Sequence, residues 1–340
     1  MAESSQMVVG LSAVIIALSG EEPNIVTVSA SADPLVDTDC PGPIVEEVQK
    51  IEALPAGPLD PTGDRTLERA LRRWVRTSAG LELGYVEQLY TFGDRFRNPH
   101  ERVGGPREIT AAYLALVRQG AEENPTKATW RSIYRFFPWE DGREARLPLV
   151  EQHIEPALRK WIGEATTPAG RSERRERAWV VFGLHDSPWD AEKVLDRYEL
   201  LYEIGLVPES MRDRAPIGSS TADAPWRKTP WVTGLEMALD HRRILATALG
   251  RIRAKIKYRP VVFELMPETF TLFQLQRGVE ALAGARLHKQ NFRRLVEQGG
   301  LVEGTGRLDH GTGGRPAELF RFRREVVLER PAPGVGVRRG

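Results

Sequence analysis

Cysteine is almost missing from these 340 residues, since Cys40 is the only one. A single thiol excludes an intramolecular disulfide and a cysteine-based zinc site, and it fits a reducing cytoplasm, with Cys40 itself inert. Net charge is also missing. Lys and Arg number 48 against 47 Asp and Glu, a formal +1, so no global field steers the chain toward nucleic acid, and such a partner has to be met by a local patch. No apolar run is long enough to cross a bilayer. The longest, "MVVGLSAVIIAL" at Met7 to Leu18, follows the acidic "MAESSQ" rather than a basic leader, so it reads as a buried strand and not as an export signal. There is no glycine-rich phosphate loop, no HExxH and no nucleophile elbow, which removes the corresponding chemistries.

What is present is ordinary soluble-protein composition, 41% hydrophobic and 28% charged, on a chain long enough for two domains. The strand at Met7 turns at "SGEEPN" into a second β-type run, "IVTVSA". A Pro/Asp/Gly-rich stretch, Ser31 to Pro43, leads through "PLDPTGD" to the first clear helix, "LERALRRWVRTSAGLEL". There Leu67, Ala70, Leu71, Trp74 and Val75 step by three and four residues onto one face, five arginines lie around the rest, and Gly80 supplies the stop. "YVEQLYTFGD" and "ITAAYLALVR" read as strands separated by an arginine-rich loop. From Trp130 to Trp231 the pattern changes: "RSERRERAW" reads as a charged helix, "WVVFGL" as a strand, and "AEKVLDRYELLYEIGLV" as a helix. Asp186, Asp190, Glu192 and Asp196 read as the acidic start of that last helix rather than a metal cluster, and His153, His185 and His241 are isolated. The run "LEMALDHRRILATALGRIRAKIKYRP" has helical spacing over about 235–258 and can serve as a connector.

The segment Gly57 to Leu81 is similar to the Nudix box. With that pattern anchored on Gly80 and Leu81, its arginine falls on Arg73 and its apolar position on Val75. The three glutamates that follow the arginine fall on Trp74, Thr77 and Ser78, and the earlier glutamate falls on Arg65. Nudix hydrolases use those carboxylates to hold divalent cations at a diphosphate, a task that needs several oxygen ligands. Guanidinium groups can still pair with phosphate oxygens without a metal. Two readings of the arginines stand open, a diphosphate cradle and a solvated helix face, and Trp74 can either fill core volume or stack on a base.

Beyond Pro260 the chain reads "VVFEL" as β-type, then a helix from Thr271, a second helix from Gln290 to Gln298, a glycine-rich turn and the strand "AELFRFRR". Phe270 to Arg330 carries eleven Lys and Arg against seven Asp and Glu, a local +4. In "RLHKQNFRRLVEQGGL" the apolar Leu287, Phe292, Leu295 and Val296 turn inward. His288, Lys289, Gln290, Asn291, Arg293 and Arg294 stay outside, a set suited to a major groove, with Arg307, His310 and Arg315 on a wing that can reach the backbone or minor groove.

The order of these segments, from "VEQLYTFGDRFRNP" to "NFRRLVEQGGLVEGTG" and "GGRPAELFRFR", resembles the Nudix-related transcriptional regulators of NAD metabolism, and within them the NadQ-type branch. The resemblance implies an α+β chain: a Nudix-like α/β/α sandwich over 1–258 with an insertion at about 130–232, a winged helix-turn-helix over 259–330, and a disordered tail at 331–340. It further implies a cytoplasmic, homodimeric repressor on double-stranded operator DNA, with no metal, no catalytic residue and no membrane association. A regulatory nucleotide such as NAD, ADP-ribose or ATP would be held by Arg65, Arg69, Arg72, Arg73, Arg76, Asp94 and Arg95. The alternative is a divergent hydrolase of ADP-ribose or a related dinucleotide using Glu68, Glu87 or Asp94. A winged helix used only for protein contact is a third possibility.

Overall fold

The computed structural model describes residues 7–31, 50–118, 128–143, 146–216, 224, 227, 231–310, 316–329 and 334–335. Cys40 and Arg315 lie outside them. Strand β1 (Met7–Ser19) is the centre of a seven-stranded mixed sheet. It runs parallel to β6 (Arg107–Leu116) along one side. On its other side it meets β4 (Ala56–Pro58) over its first half and β2 (Glu22–Ser31) over its second. Strand β3 (Lys50–Ala53) and β7 (Ala128–Ser132) pair with β2, while β5 (Tyr85–Phe92) closes the other edge beside β6. Trp130, where the sequence pattern changes, is thus part of the sheet.

The apolar run in β1 is continuous because both its faces are covered. Leu11, Ala13 and Ile15 pack under helix α1 (Leu67–Ala79), whereas Val14, Ile16 and Leu18 face the opposite layer, and β6 alternates in the same way. This gives the three-layer sandwich expected of the N-terminal part. Thr66 caps α1 by accepting the Arg69 N–H, and Gly80 ends it in the left-handed conformation.

The opposite layer is built from the described residues between 133 and 256. After the short α2 (Arg146–Leu149), helices α3 (Glu155–Gly163), α4 (Pro168–Phe182), α5 (Val194–Glu203) and α6 (Pro208–Arg214) pack one on the next, with α5 lying along α7 (His241–Ile256) and α6 joined to it by Glu209–Arg242. Three sequence expectations change here. "WVVFGL" is the end of α4 rather than a strand, since Ala178, Val181 and Phe182 bury one helical face. The helix after "HDSPWD" starts only at Val194, so Asp190 and Glu192 precede it and Asp196 alone lies in its first turn. The connector α7 is embedded in the core, with ten buried residues that include His241, Arg242 and Arg253.

The same core continues without a break into the C-terminal module. "VVFEL" forms a short 3-10 turn, Val261–Glu264, not a strand, because Val261, Val262 and Phe263 are all buried at once beside Pro260. Helices α8 (Leu272–Ala283) and α9 (Lys289–Gln298) and the hairpin β8 (Val302–Asp309)–β9 (Ala317–Phe322) form a winged helix-turn-helix. Thr271 and Gln274 close a capping box at the start of α8. After a last turn, α10 (Val326–Glu329), the expected tail is represented by Gly334 and Val335. Val335 is buried and donates its N–H to the Ile256 carbonyl at 2.9 Å, which corrects the expectation of disorder at that residue. The rest of the tail lies outside the described residues.

Candidate functional site

The arginines of α1 are exposed, but most are occupied. Arg72 pairs with Glu68 at 2.9 Å and donates to the carbonyls of Leu83 and Gly84, which ties the helix to the strand that follows. Arg73 pairs with Asp64 at 2.6 Å, and this hydrogen bond holds the Asp64 carboxyl below its ordinary range. Arg76 meets Glu82 at 2.8 Å. Arg65 and Arg69 make no side-chain hydrogen bond or ion pair to another described residue, and Arg69 gives only its backbone N–H to the Thr66 hydroxyl. Trp74 resolves the choice posed by its sequence. It donates its indole N–H to the Pro58 carbonyl at 2.7 Å and lies flat over Gly57, where an added Cβ would stand 2.2 Å from the ring. A position that carries a glutamate in the box therefore holds a packed indole, and Gly57 is required by that contact. Thr77 and Ser78 donate back to the carbonyls of Arg73 and Trp74 inside the helix. Among the described residues no group of three or more His, Cys, Asp or Glu is placed to hold a metal ion.

The carboxylates of the hydrolase alternative are not brought together. Glu68 is the partner of Arg72, and Asp94 is exposed. Glu87 accepts from Lys255, from Arg251 at 2.9 Å and from Tyr85. Burial would raise its carboxyl, yet these donors hold it below the ordinary range.

In the loop 93–105 the structural weight falls two residues past the expected pair. Asp94 and Arg95 are exposed, with Arg95 lying over the Phe96 ring at 4.7 Å. Arg97 is almost fully enclosed and reaches Asp240 at 2.6 Å, Glu108 at 3.4 Å and the Thr110 hydroxyl at 2.5 Å. Phe96 is held at φ 65°, a strained conformation for a bulky residue, with its N–H given to Glu101 at 2.7 Å. Asp240 immediately precedes α7, and its neighbour His241 accepts the Leu54 N–H on Nδ1 at 3.0 Å. Burial pushes His241 down to about 4, so the imidazole is neutral, as that accepted hydrogen bond requires. The loop 93–105, the start of β6, Leu54 behind β3 and the start of α7 are thus wired together. Sequence reasoning missed Arg97 because its partner is 143 residues away.

A second network joins α7 to the winged helix. Glu140 is completely buried between Arg197, at 3.1 Å, and Arg253. Burial opposes its charge, but the two guanidinium groups hold the carboxyl below its ordinary range. Arg253 also donates to the Leu282 carbonyl at 3.0 Å, Tyr134 donates to the Ala281 carbonyl at 2.5 Å, and the Gly142 N–H meets the Gly284 carbonyl at 2.8 Å. Gly284 has φ +64°, and a Cβ there would stand 2.2 Å from the Glu140 carbonyl oxygen. The end of α8 is therefore fastened to the sandwich side by groups from three separate segments.

On α9 the expected polar set is brought together. His288, Lys289, Gln290, Asn291, Arg293 and Arg294 are all exposed, and none has a hydrogen bond or ion pair from its side chain to another described residue. Phe292 and Val296 anchor the inner face. Leu295, expected inward, is 40% exposed, because it lies one helical turn past Asn291 on the outer side. Arg307 and His310 are exposed on the wing, and Arg315 lies outside the described residues.

Three comparisons bear on this geometry. Residues 262–322 match the family described as the NrtR DNA-binding winged helix domain. The "ADPR responsive transcriptional repressor NtrR" of Acinetobacter baylyi is 39% identical over 97 residues, which are 27% of this chain and 38% of that protein. The whole architecture is similar to Shewanella oneidensis NrtR. In its complex with a 27mer DNA that structure superimposes with a TM-score of 0.53 at 18% identity, covering 94% of this chain and 95% of the other. A second crystal structure of Shewanella oneidensis NrtR gives a TM-score of 0.51 with the same identity and coverage. The fold is thus a Nudix-like sandwich followed by an NrtR-type winged helix.

Proposed function

We propose that this chain, NrtR-like in fold and in its winged helix, is a transcriptional repressor whose sandwich domain senses a nucleotide of NAD metabolism without hydrolysing it. The observation that carries the reading is the α9 surface, where six polar side chains suited to base edges and phosphates stand exposed and unpartnered on a helix-turn-helix of DNA-binding type. A protein surface built only for solvation has no need of such a cluster at the start of a recognition helix.

We assign the effector to Arg65 and Arg69 around the start of α1 and to Asp94 and Arg95 of the loop 93–105, whose Arg97 links to α7 through Asp240. The relative named as ADPR-responsive makes ADP-ribose the first candidate, ahead of NAD and ATP. Binding without turnover follows from Trp74, Thr77 and Ser78 in place of carboxylates and from the paired state of Glu68 and Glu87. A ligand changes operator affinity only through its differential affinity for arrangements of the two domains, and the route between them runs from Asp240 along α7 to Arg253 and the end of α8. The repressor acts as a homodimer on two half-sites, as recognition-helix proteins on palindromic operators do.

The test is a salt-titrated duplex-binding assay on promoters of NAD biosynthesis and salvage genes, with and without ADP-ribose, NAD and ATP. Specific retention altered by one nucleotide, with that nucleotide recovered intact after long incubation with Mg²⁺, supports the reading. Metal-dependent release of AMP replaces it with the hydrolase.

A further inference from the structure

The β1–β2 turn carries two acids, Glu21 and Glu22, and points at the winged helix. Glu21 reaches Arg277 of α8 at 3.2 Å and Arg286 of the α8–α9 turn at 3.4 Å. Both arginines also share the buried Glu280, Arg277 at 2.8 Å and Arg286 at 3.1 Å. Glu280 in turn accepts the Leu287 N–H at 3.0 Å, so this cluster sits directly against the start of α9. The turn is braced in position by Arg143. That residue donates to the Glu21 carbonyl, pairs with Glu22 at 3.0 Å and is fixed by Asp141 at 2.8 Å. Glu22 is held a second time by the Ser132 hydroxyl at 2.9 Å.

We infer that Arg286 and Arg277 are a phosphate-binding flank of the operator surface, and that Glu21 is an acidic gate that covers it. Three observations lead there. In helix-turn-helix proteins the N-terminal end of the recognition helix enters the groove, so the turn just before it lies beside the DNA backbone. Arg286 stands two residues before His288 and is 39% exposed, and Arg277 is partly exposed, so both guanidinium groups are reachable from solvent. Glu280 lies against both guanidinium groups from within the module, and Glu21 reaches them from a different domain, across 265 residues of sequence, through a side chain that is itself 46% exposed. A phosphate approaching the flank must displace Glu21 and meets its like charge, whereas a winged helix turned away from the hairpin presents the flank without that repulsion.

The arrangement in this structure is accordingly the one that opposes DNA. Its strength is set by where the β1–β2 hairpin stands relative to α8. Strand β1 runs from beside the start of β6, which follows the loop assigned to the effector, to this turn, so one strand joins the gate to the effector side. Surface ion pairs of this exposure are weak one at a time, which suits a contact that has to open.

The inference rests on the DNA-binding reading, and a single set of titrations separates the two. Duplex binding by the full-length protein is measured over a range of salt for wild type, Glu21→Gln, Arg286→Ala and the double variant. Glu21→Gln alters an exposed turn and leaves the core intact. The expected result is affinity about threefold or more above wild type, with a steeper salt dependence by about one unit of slope for each arginine released. Arg286→Ala in the Glu21→Gln background removes most of that gain. Wild-type binding that is unchanged or weakened by Glu21→Gln overturns the gate and leaves the repressor standing. A gain that persists in the double variant, after Arg277→Ala is added as well, overturns the flank. No retention of duplex by any of the four proteins overturns both the inference and the reading beneath it.

Discussion

Helices α1 and α9 are both arginine-rich and amphipathic, and both drew attention as surfaces for a phosphorylated partner. They differ in what answers their charge. On α1, Arg72, Arg73 and Arg76 each have an acid from the same neighbourhood, Glu68, Asp64 and Glu82. On α9, Lys289, Arg293 and Arg294 have none among the described residues. A basic run is therefore not by itself a binding site. Three of the four α1 arginines fasten the helix to its own turn and loops, which leaves Arg69, with Arg65 just before the cap, as its contribution to a ligand, whereas the whole charge of α9 is available to one. The buried networks make the third case, in which charge is answered from far along the chain and locks elements together.

The largest effect expected from this contrast comes where charge is answered completely. Glu140→Gln leaves Arg197 and Arg253 buried without their counter-charge and should cost about 3–5 kcal/mol of stability, read by denaturant unfolding. A loss under 1 kcal/mol would show that the triad is not the fastener described. Next comes the unanswered face. Arg293→Ala with Arg294→Ala should lower operator affinity about a hundredfold and flatten the salt dependence by about two units, while thermal unfolding stays put. Equal DNA retention by this variant would end the assignment of α9.

The third expectation concerns pH. His241 is neutral in the fold, its value of about 4 lying below that of an unfolded histidine, so the unfolded chain binds the extra proton. Its contribution is full above about pH 6.5 and is lost as pH falls toward 4, up to about 3 kcal/mol in all. His241→Gln should flatten that limb of the stability profile, and an unchanged limb would place the proton elsewhere. The smallest effect is on α1 itself: Arg73→Ala should leave DNA affinity untouched and lower the melting temperature only slightly, since the guanidinium side of the pair with Asp64 is nearly half exposed.

These outcomes also measure what could be read from sequence. Patterns carried by neighbours along the chain were legible: the two-faced apolar run of β1, the face of α1 with Gly80 behind it, the capped start of α8, and the inner Phe292 and Val296 of α9. The misreadings have one cause. "WVVFGL" and "VVFEL" are rich in β-branched and aromatic residues, and only burial against distant helices turns them into the end of α4 and a 3-10 turn. Arg97, two residues past Arg95, carries no local signal for its structural part, because its partner Asp240 is supplied from 143 residues away. In α7 the spacing announced a helix, but the burial of Arg242 and Arg253 depends on Glu209 and Glu140, which no local pattern links to them.

Val335 gives the winged helix an unusual mounting. The module leaves α7 at Ile256, and after the wing the chain comes back to hydrogen-bond the carbonyl of that same residue, with Gly334 pressed against Tyr258 so closely that a Cβ would stand 2.2 Å from its nitrogen. Entry and exit thus share one post. A body held in this way can swivel, tilting α9 against the groove while both attachments keep their length. To be carried bodily away from the sensor, it must first pull Val335 out of its seat.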